Sequence, residues 1–196
     1  MQEYPYKILD TIVGSETRSR VLKFFFRHNN QSFRIGEIAR LIRQNYNTTA
    51  SFIEDLERIG VLKQTKGTGS ASLYAINTQF KGYPFLKDLV LQIFPVSTTE
   101  AAEQIKKTGR IRLALLSGVF LNQEAASIDL FLVVDDVDEA KLKEFIAELE
   151  AQVGKEINYT SMDTAEFTYR YNIYDRFVRN IMKKANIKLV DSLSLN

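Results

Sequence analysis

The chain has 196 residues, 45% of them hydrophobic and 26% charged, which suits one large or two small globular domains. It has no cysteine and a single histidine, His28, which excludes disulfides, thiol catalysis, thiolate metal sites and multi-histidine metal sites. The formal net charge is only +2, but residues 1–82 hold 12 Lys+Arg against 7 Asp+Glu while residues 83–196 hold 14 against 17, so the first part is the one expected to meet a polyanion.

The opening MQEYPYKILD contains acids and no long apolar core, so no secretory leader is expected. No run approaches the ~20 apolar residues of a membrane span, and a cytoplasmic chain without a membrane partner is expected. GSETRSRVLKFFFRHN then reads as a helix with Ser15 as N-cap and Val21, Leu22, Phe25 and Phe26 near helical spacing. His28 falls at its end, where a surface position is expected. In FRIGEIARLIRQN, Ile35, Ile38, Ala39 and Ile42 recur as i, i+3, i+4 and i+7, a short amphipathic helix. A turn, QNYN, leads to TTASFIEDLERIG, where Thr49, Phe52, Ile53, Leu56 and Ile59 line one face and Gly60 is the natural stop. VLKQTKGTGSASLYAIN alternates apolar and polar residues on both sides of a Gly-rich tip, Gly67 to Ser70, as a β-hairpin does.

Three helices and a hairpin in this order resemble the winged helix-turn-helix of small bacterial and archaeal transcriptional regulators. The residues that carry the resemblance are IGEIARLIRQNYNTTASFIEDLERIGVLKQ and the wing TKGTGSASLYAI. It implies that the third helix enters the major groove and the wing touches the backbone or minor groove of double-stranded DNA. Tyr46, Asn47, Thr48 and Ser51 would then face base edges, with Gln44 and Asn45 in the preceding turn. Arg34, Arg40, Arg43, Lys63 and Lys66 would meet phosphates. Glu54, Asp55 and Glu57 lie toward the far end of the same helix.

FKGYPFLKDLVLQIF reads as a connecting helix, and Pro95 with the Ser-Thr-Thr run behind it marks a domain boundary near residue 95. Beyond it the order is a helix over about 98–108, the strand IRLALLS, a loop, and the strand IDLFLVV. The helix VDEAKLKEFIAELEAQVG, the strand EINYTSM, a helical region from Asp163 to about Lys184 and a last strand IKLVDSL follow. Strands interleaved with helices make an α/β domain. The expected fold is therefore α+β or α/β in two domains, 1–95 and 96–196.

The stretch SGVFLNQEAASIDLFLVVDD, with the helices and strands around it, resembles a minimal nucleotidyltransferase domain of the DNA polymerase beta superfamily. That family places Gly-Ser after its first strand, two aspartates on the next strand and a third carboxylate later, and the carboxylates hold two Mg²⁺ ions. Here Gly118 matches the glycine, Val119 stands in place of the serine, Ser127 in place of the first aspartate, and Asp129 on the second. The third carboxylate is expected near Asn158, with Glu156 as an out-of-phase neighbour. One carboxylate does not assemble a two-metal site, so this domain is expected to be catalytically degenerate, with no metal and no cofactor. Asp129 is expected to brace the Gly118–Ser127 loop, and Asp129→Asn to leave the fold nearly intact. The acids of DDVDE, Asp135 to Glu139, read as a strand end and a helix N-terminus.

EFTYRYNIYDRFVRNIMKK mixes Phe167, Tyr169, Tyr171, Tyr174 and Phe177 with Arg170, Arg176 and Arg179. Stacking on nucleobases is one use of such a mixture. Helical spacing of Phe167, Tyr171, Tyr174, Val178 and Ile181 points instead to core or a subunit interface. The combined expectation is a sequence-specific DNA-binding transcriptional regulator, a homodimer, whose second domain dimerises, senses a small molecule or binds a protein effector. Its dimer interface is expected around Tyr171 and Tyr174 or on the helices at 15–28 and 79–94. The competing readings are an active nucleotidyltransferase using Asp129 with Glu156, and an adaptor that binds only protein.

Overall fold

The computed structural model describes residues 7–66, 72–123 and 127–193, Lys66 by its backbone only. The fold is α+β, with nine α-helices, a two-stranded sheet and a four-stranded mixed sheet among the described residues. No helix among them is long and apolar enough to cross a membrane. The chain divides into two compact units, one of Pro5–Pro95 with Glu148–Glu156 and one containing Val96–Ala147 and Ile157–Asn196.

The N-terminal unit is built around α2 (Glu16–Arg27). Ser15 caps it, its side chain accepting the Arg18 N–H. Every residue from Ser19 to Phe26 is buried, so α2 is a central helix and not an amphipathic surface one. Phe24, Phe25 and Phe26 all enter the core, together with Leu9 of α1 (Ile8–Val13), Ile38 of α3 (Ile35–Leu41) and Ile53 and Leu56 of α4 (Tyr46–Arg58). Two cations go in with them. Arg20 donates to Ile42 O at 3.0 Å and pairs with Glu16 and, at 2.6 Å, with Glu148. Lys23 Nζ donates to Pro95 O at 3.3 Å, and burial lowers its pKa to about 8. Buried cations require such partners, because stripping their water is otherwise far too costly.

Glu148–Glu156 comprises the last turns of α7 (Glu139–Val153) and the residues after it. Gly154, with φ of +82°, lies so close to α2 that a Cβ there would come within 2.7 Å of Phe24 N. Only glycine accommodates both that backbone angle and that approach.

β1 (Leu62–Lys66) and β2 (Ser72–Ile76) form an antiparallel hairpin with Leu62 opposite Ile76. The tip, Gly67 to Ser70, lies outside the described residues. A further bridge joins Phe33 to Tyr74 through reciprocal backbone bonds of 3.0 and 2.9 Å, and so ties the hairpin to the residues preceding α3. α5 (Tyr83–Gln92), with proline in its first turn, completes the unit.

Some expectations need correction here. Ile59 is 63% exposed, because α4 closes at that residue and Gly60 turns the chain at φ +81°. His28 is half-buried, its ring 4.4 Å from Phe24 and 5.2 Å from Phe33, with Nδ1 2.9 Å from Phe24 O. α1 was not expected at all.

In the second unit the strand order is β5-β4-β3-β6. β3 (Gly109–Leu116) is antiparallel to both β4 (Leu130–Val137) and β6 (Ile187–Asp191), and β4 runs parallel to β5 (Tyr159–Met162). Alternate residues of the two central strands feed opposite faces. Leu113, Leu115, Phe131 and Val133 form one core with Met162, Phe167 of α8 (Thr164–Asn172) and Val178 of α9 (Arg176–Lys183). Ala114, Leu116, Leu130 and Leu132, on the other face, are equally inaccessible. α6 (Thr98–Lys106), capped by Ser97, lies against β3 and β6.

The region from Asp163 to Lys184 is two helices, not one. α8 ends at Ile173, and Tyr174 takes a left-handed φ of +58° before Asp175 caps α9 by accepting Val178 N–H at 3.1 Å. Apolar spacing persists through the break, which is why periodicity alone reads it as continuous. Asp138 accepts N–H bonds from Ala140 and Lys141 at the start of α7, both at 3.1 Å. Asp135 accepts the Thr164 N–H and hydroxyl, and these bonds, with Arg112 beside it, hold its carboxyl below the usual range.

Candidate functional site

α3 and α4 are joined by a tight turn. Gln44 N–H donates to Ala39 O at 2.9 Å, and Arg43 occupies the left-handed region at φ +55°. Thr17 of α2 donates to the Gln44 side-chain oxygen at 2.6 Å. Asn45 caps α4, its Oδ1 accepting the N–H of Asn47 at 2.8 Å and of Thr48 at 3.3 Å. Gln44 and Asn45 therefore fix the turn that precedes α4 through their side-chain oxygens. Asn45 thereby satisfies two N–H groups that the start of α4 leaves open.

The cap aims the first turns of α4 outward. Thr49, Ile53 and Leu56 are buried, whereas Tyr46, Asn47, Thr48 and Ser51 are all exposed, Tyr46 by 55%. The Thr48 hydroxyl, on an exposed residue, donates to Asn45 O at 3.1 Å. Arg34, which precedes α3, Arg40 in its last turn and Lys63 on β1 are exposed and meet no carboxylate among the described residues. Arg43 differs: its Nε lies 3.6 Å from the Glu148 carboxylate. The side chain of Lys66 is outside the described residues. Of the acids on α4, Asp55 pairs with Arg58 at 3.1 Å, and Glu54 and Glu57 stand two to three turns beyond the cap.

Around the second motif, Gly118 opens a short 3-10 helix, Gly118–Leu121, with φ +52°. Asp129, 6% exposed, ends its side chain against two backbone donors: Val119 N–H to Oδ1 at 2.7 Å and Asn158 N–H to Oδ2 at 3.0 Å. Val119 is buried, Ser127 is exposed, and Ser117 rather than Ser127 binds this loop, donating to Ile128 O at 2.7 Å. Glu156 belongs to the other compact unit. A two-ion site needs carboxylate oxygens open to the ions. Both Asp129 oxygens accept backbone N–H bonds, and Val119, Ser127 and Asn158 at the other matched positions supply no second carboxylate, so these residues do not fit one. Among the described residues no three His, Asp or Glu side chains gather to hold a metal ion. The groove beside the motif, lined in part by Ser117, Ser127 and Lys184, has about 90 Å³, well under the ~300 Å³ at which small-molecule sites begin.

Of the expected dimer surfaces, α2 is buried from Ser19 to Phe26. α5 has an open apolar face, since Phe85 is 78% and Leu89 41% exposed one turn apart. Comparison with family models, with curated proteins and with solved structures finds no match for this chain.

Proposed function

We propose that the chain is a sequence-specific double-stranded DNA-binding regulator of the winged helix-turn-helix type, with a second domain of nucleotidyltransferase-like fold that performs no nucleotide transfer. One observation carries the DNA-binding reading. The cap at Asn45 presents Tyr46, Asn47, Thr48 and Ser51 together on the open side of α4, while Arg34, Arg40 and Lys63 stand on the elements before and after it. Amide and hydroxyl side chains at a helix N-terminus read base edges, and flanking guanidinium and ammonium groups hold phosphates.

Two copies would double the few base contacts one such helix makes, and the Phe85–Leu89 surface of α5 offers one exposed apolar face for pairing. Asp129 works as a brace in this reading and not as a metal ligand. Selection of bound sequences from a random duplex pool tests the assignment. A defined motif is expected from the wild-type chain, with preference relaxed at specific positions in Asn47→Ala and Thr48→Ala. Recovery of an unenriched pool from the wild-type chain would count against sequence recognition. Label transfer from a nucleoside triphosphate that requires Mg²⁺ and disappears in Asp129→Asn would restore the enzyme.

A further inference from the structure

A second concavity in this unit lies away from the Gly118–Asp129 motif. It is an open groove of about 380 Å³ lined by Tyr171, Asn172, Tyr174, Arg179, Met182 and Lys183. That volume falls within the ~300–1,000 Å³ of small-molecule sites.

Its composition is specific. Arg179 and Lys183 are one turn apart on α9, so both cations face the same side. Neither meets a carboxylate among the described residues, whereas Arg170 nearby is held by Glu166 at 2.6 Å. The Arg179 guanidinium rests over the Tyr174 ring, 5.5 Å from its centroid. Tyr174 nevertheless stays 74% exposed.

Tyr174 also sits at a backbone position that its residue type disfavours. It closes α8 in the left-handed region, where glycine or asparagine is at ease and a bulky side chain is strained. The fold gains little from its ring there, because the ring is mostly in solvent. An exposed aromatic held on a strained backbone beside two unpaired cations is a pattern of ligand recognition rather than of packing.

We propose that this groove binds a nucleotide, the base stacking on Tyr174 and the phosphates bound by Arg179 and Lys183. A planar heteroaromatic ring extends the existing guanidinium–tyrosine stack, and a guanidinium forks onto phosphate oxygens. Met182 supplies a soft apolar wall, and the Asn172 amide offers both a donor and an acceptor to a base edge. This assignment stands on the second unit alone and is independent of DNA binding.

Fluorescence anisotropy of labelled ATP, CTP, GTP and UTP with the full chain tests it. Saturable binding of at least one is expected. Tyr174→Asn, which keeps the left-handed turn but removes the ring, should weaken it by roughly 5- to 150-fold, the range of one base–aromatic stack. Arg179→Gln and Lys183→Gln should each weaken it as well, while Tyr169→Ala, an exposed ring outside the groove, should not. The free nucleoside and inorganic phosphate should each compete at least about tenfold more weakly than the nucleotide, since each makes half the contacts. No saturable binding at millimolar concentration, or unchanged affinity in folded Tyr174→Asn and Arg179→Gln, overturns the proposal. So does phosphate competing as well as the nucleotide. A short single-stranded oligonucleotide that displaces the probe far below the nucleotide's own concentration would give the groove to a strand instead, and overturn it too.

Discussion

The backbone N–H of Val119 donates to Asp129 Oδ1 at 2.7 Å, and the Asn158 N–H takes the other oxygen of the same carboxylate. One buried side chain thus pins the turn at Gly118 to the start of β4 and to the residue before β5. Asparagine has one oxygen to replace two, and its NH₂ would face a backbone donor. Asp129→Asn should therefore cost about 1–3 kcal/mol, the penalty of a buried donor left without a partner. That exceeds the near-neutral outcome expected from sequence. Gly118→Ala should be at least as damaging, because its Cβ would collide with Asp129 Oδ1 on a left-handed backbone. Urea unfolding of both variants, followed by circular dichroism, checks this.

Lys23 should make stability rise at alkaline pH. Burial lowers its pKa from 10.5 to about 8 in the folded chain, so between those values the unfolded chain holds more protons. Folding stability then climbs as pH increases through this window, is complete above the upper value and is lost below the lower one. At ~1.4 kcal/mol per pH unit the full span is about 3 kcal/mol. Tyr74, whose pKa burial raises, opposes the gain only above pH 10. Lys23→Met should stabilise the chain at pH 7 and flatten the rise. His28, whose pKa burial lowers from 6.5, adds a separate loss as pH falls below that value. Thermal melts from pH 5 to 10 measure both effects.

Tyr174→Gly should raise stability by about 1 kcal/mol, because glycine takes the left-handed turn between α8 and α9 without strain. The same denaturation measurement reads it. A loss of stability would mean that the ring contributes packing its 74% exposure does not suggest.

Much of this was legible in the sequence, and the failures have physical causes. Thr49, Ile53 and Leu56 lie on the buried face that their spacing implies, and Ser15 caps α2 as its type implies. Periodicity could not show that α2 is enclosed, because Arg20 and Lys23 mark what looks like a wet face. Their burial depends on Ile42 O, Glu148 and Pro95 O, all remote in sequence. The break at Tyr174 was hidden since its left-handed turn is made without glycine. The partners of Asp129 are backbone N–H groups, which leave no trace in residue identity. Phe33 joins β2 by a single bridge, too short a signal to read as a strand.

Asn45→Ala should cost about 1 kcal/mol through loss of the α4 cap. If α4 carries recognition, it should weaken specific DNA binding at the same time, because the start of the helix loses its cap. Light scattering should show Phe85→Asp with Leu89→Asp to be monomeric where the wild type is a dimer at tens of micromolar.

Duplex binding measured across a salt titration bears most directly on the proposed function. With about five phosphate contacts, log K should fall with log salt at a slope on the order of −4 to −5. Arg34→Ala, Arg40→Ala and Lys63→Ala should each reduce that slope by about one. Arg43→Ala should change it less, since Glu148 already engages Arg43. Absence of duplex binding at about 50 mM salt, or binding whose slope ignores all four substitutions, would contradict a DNA-binding role for the α3–α4 face.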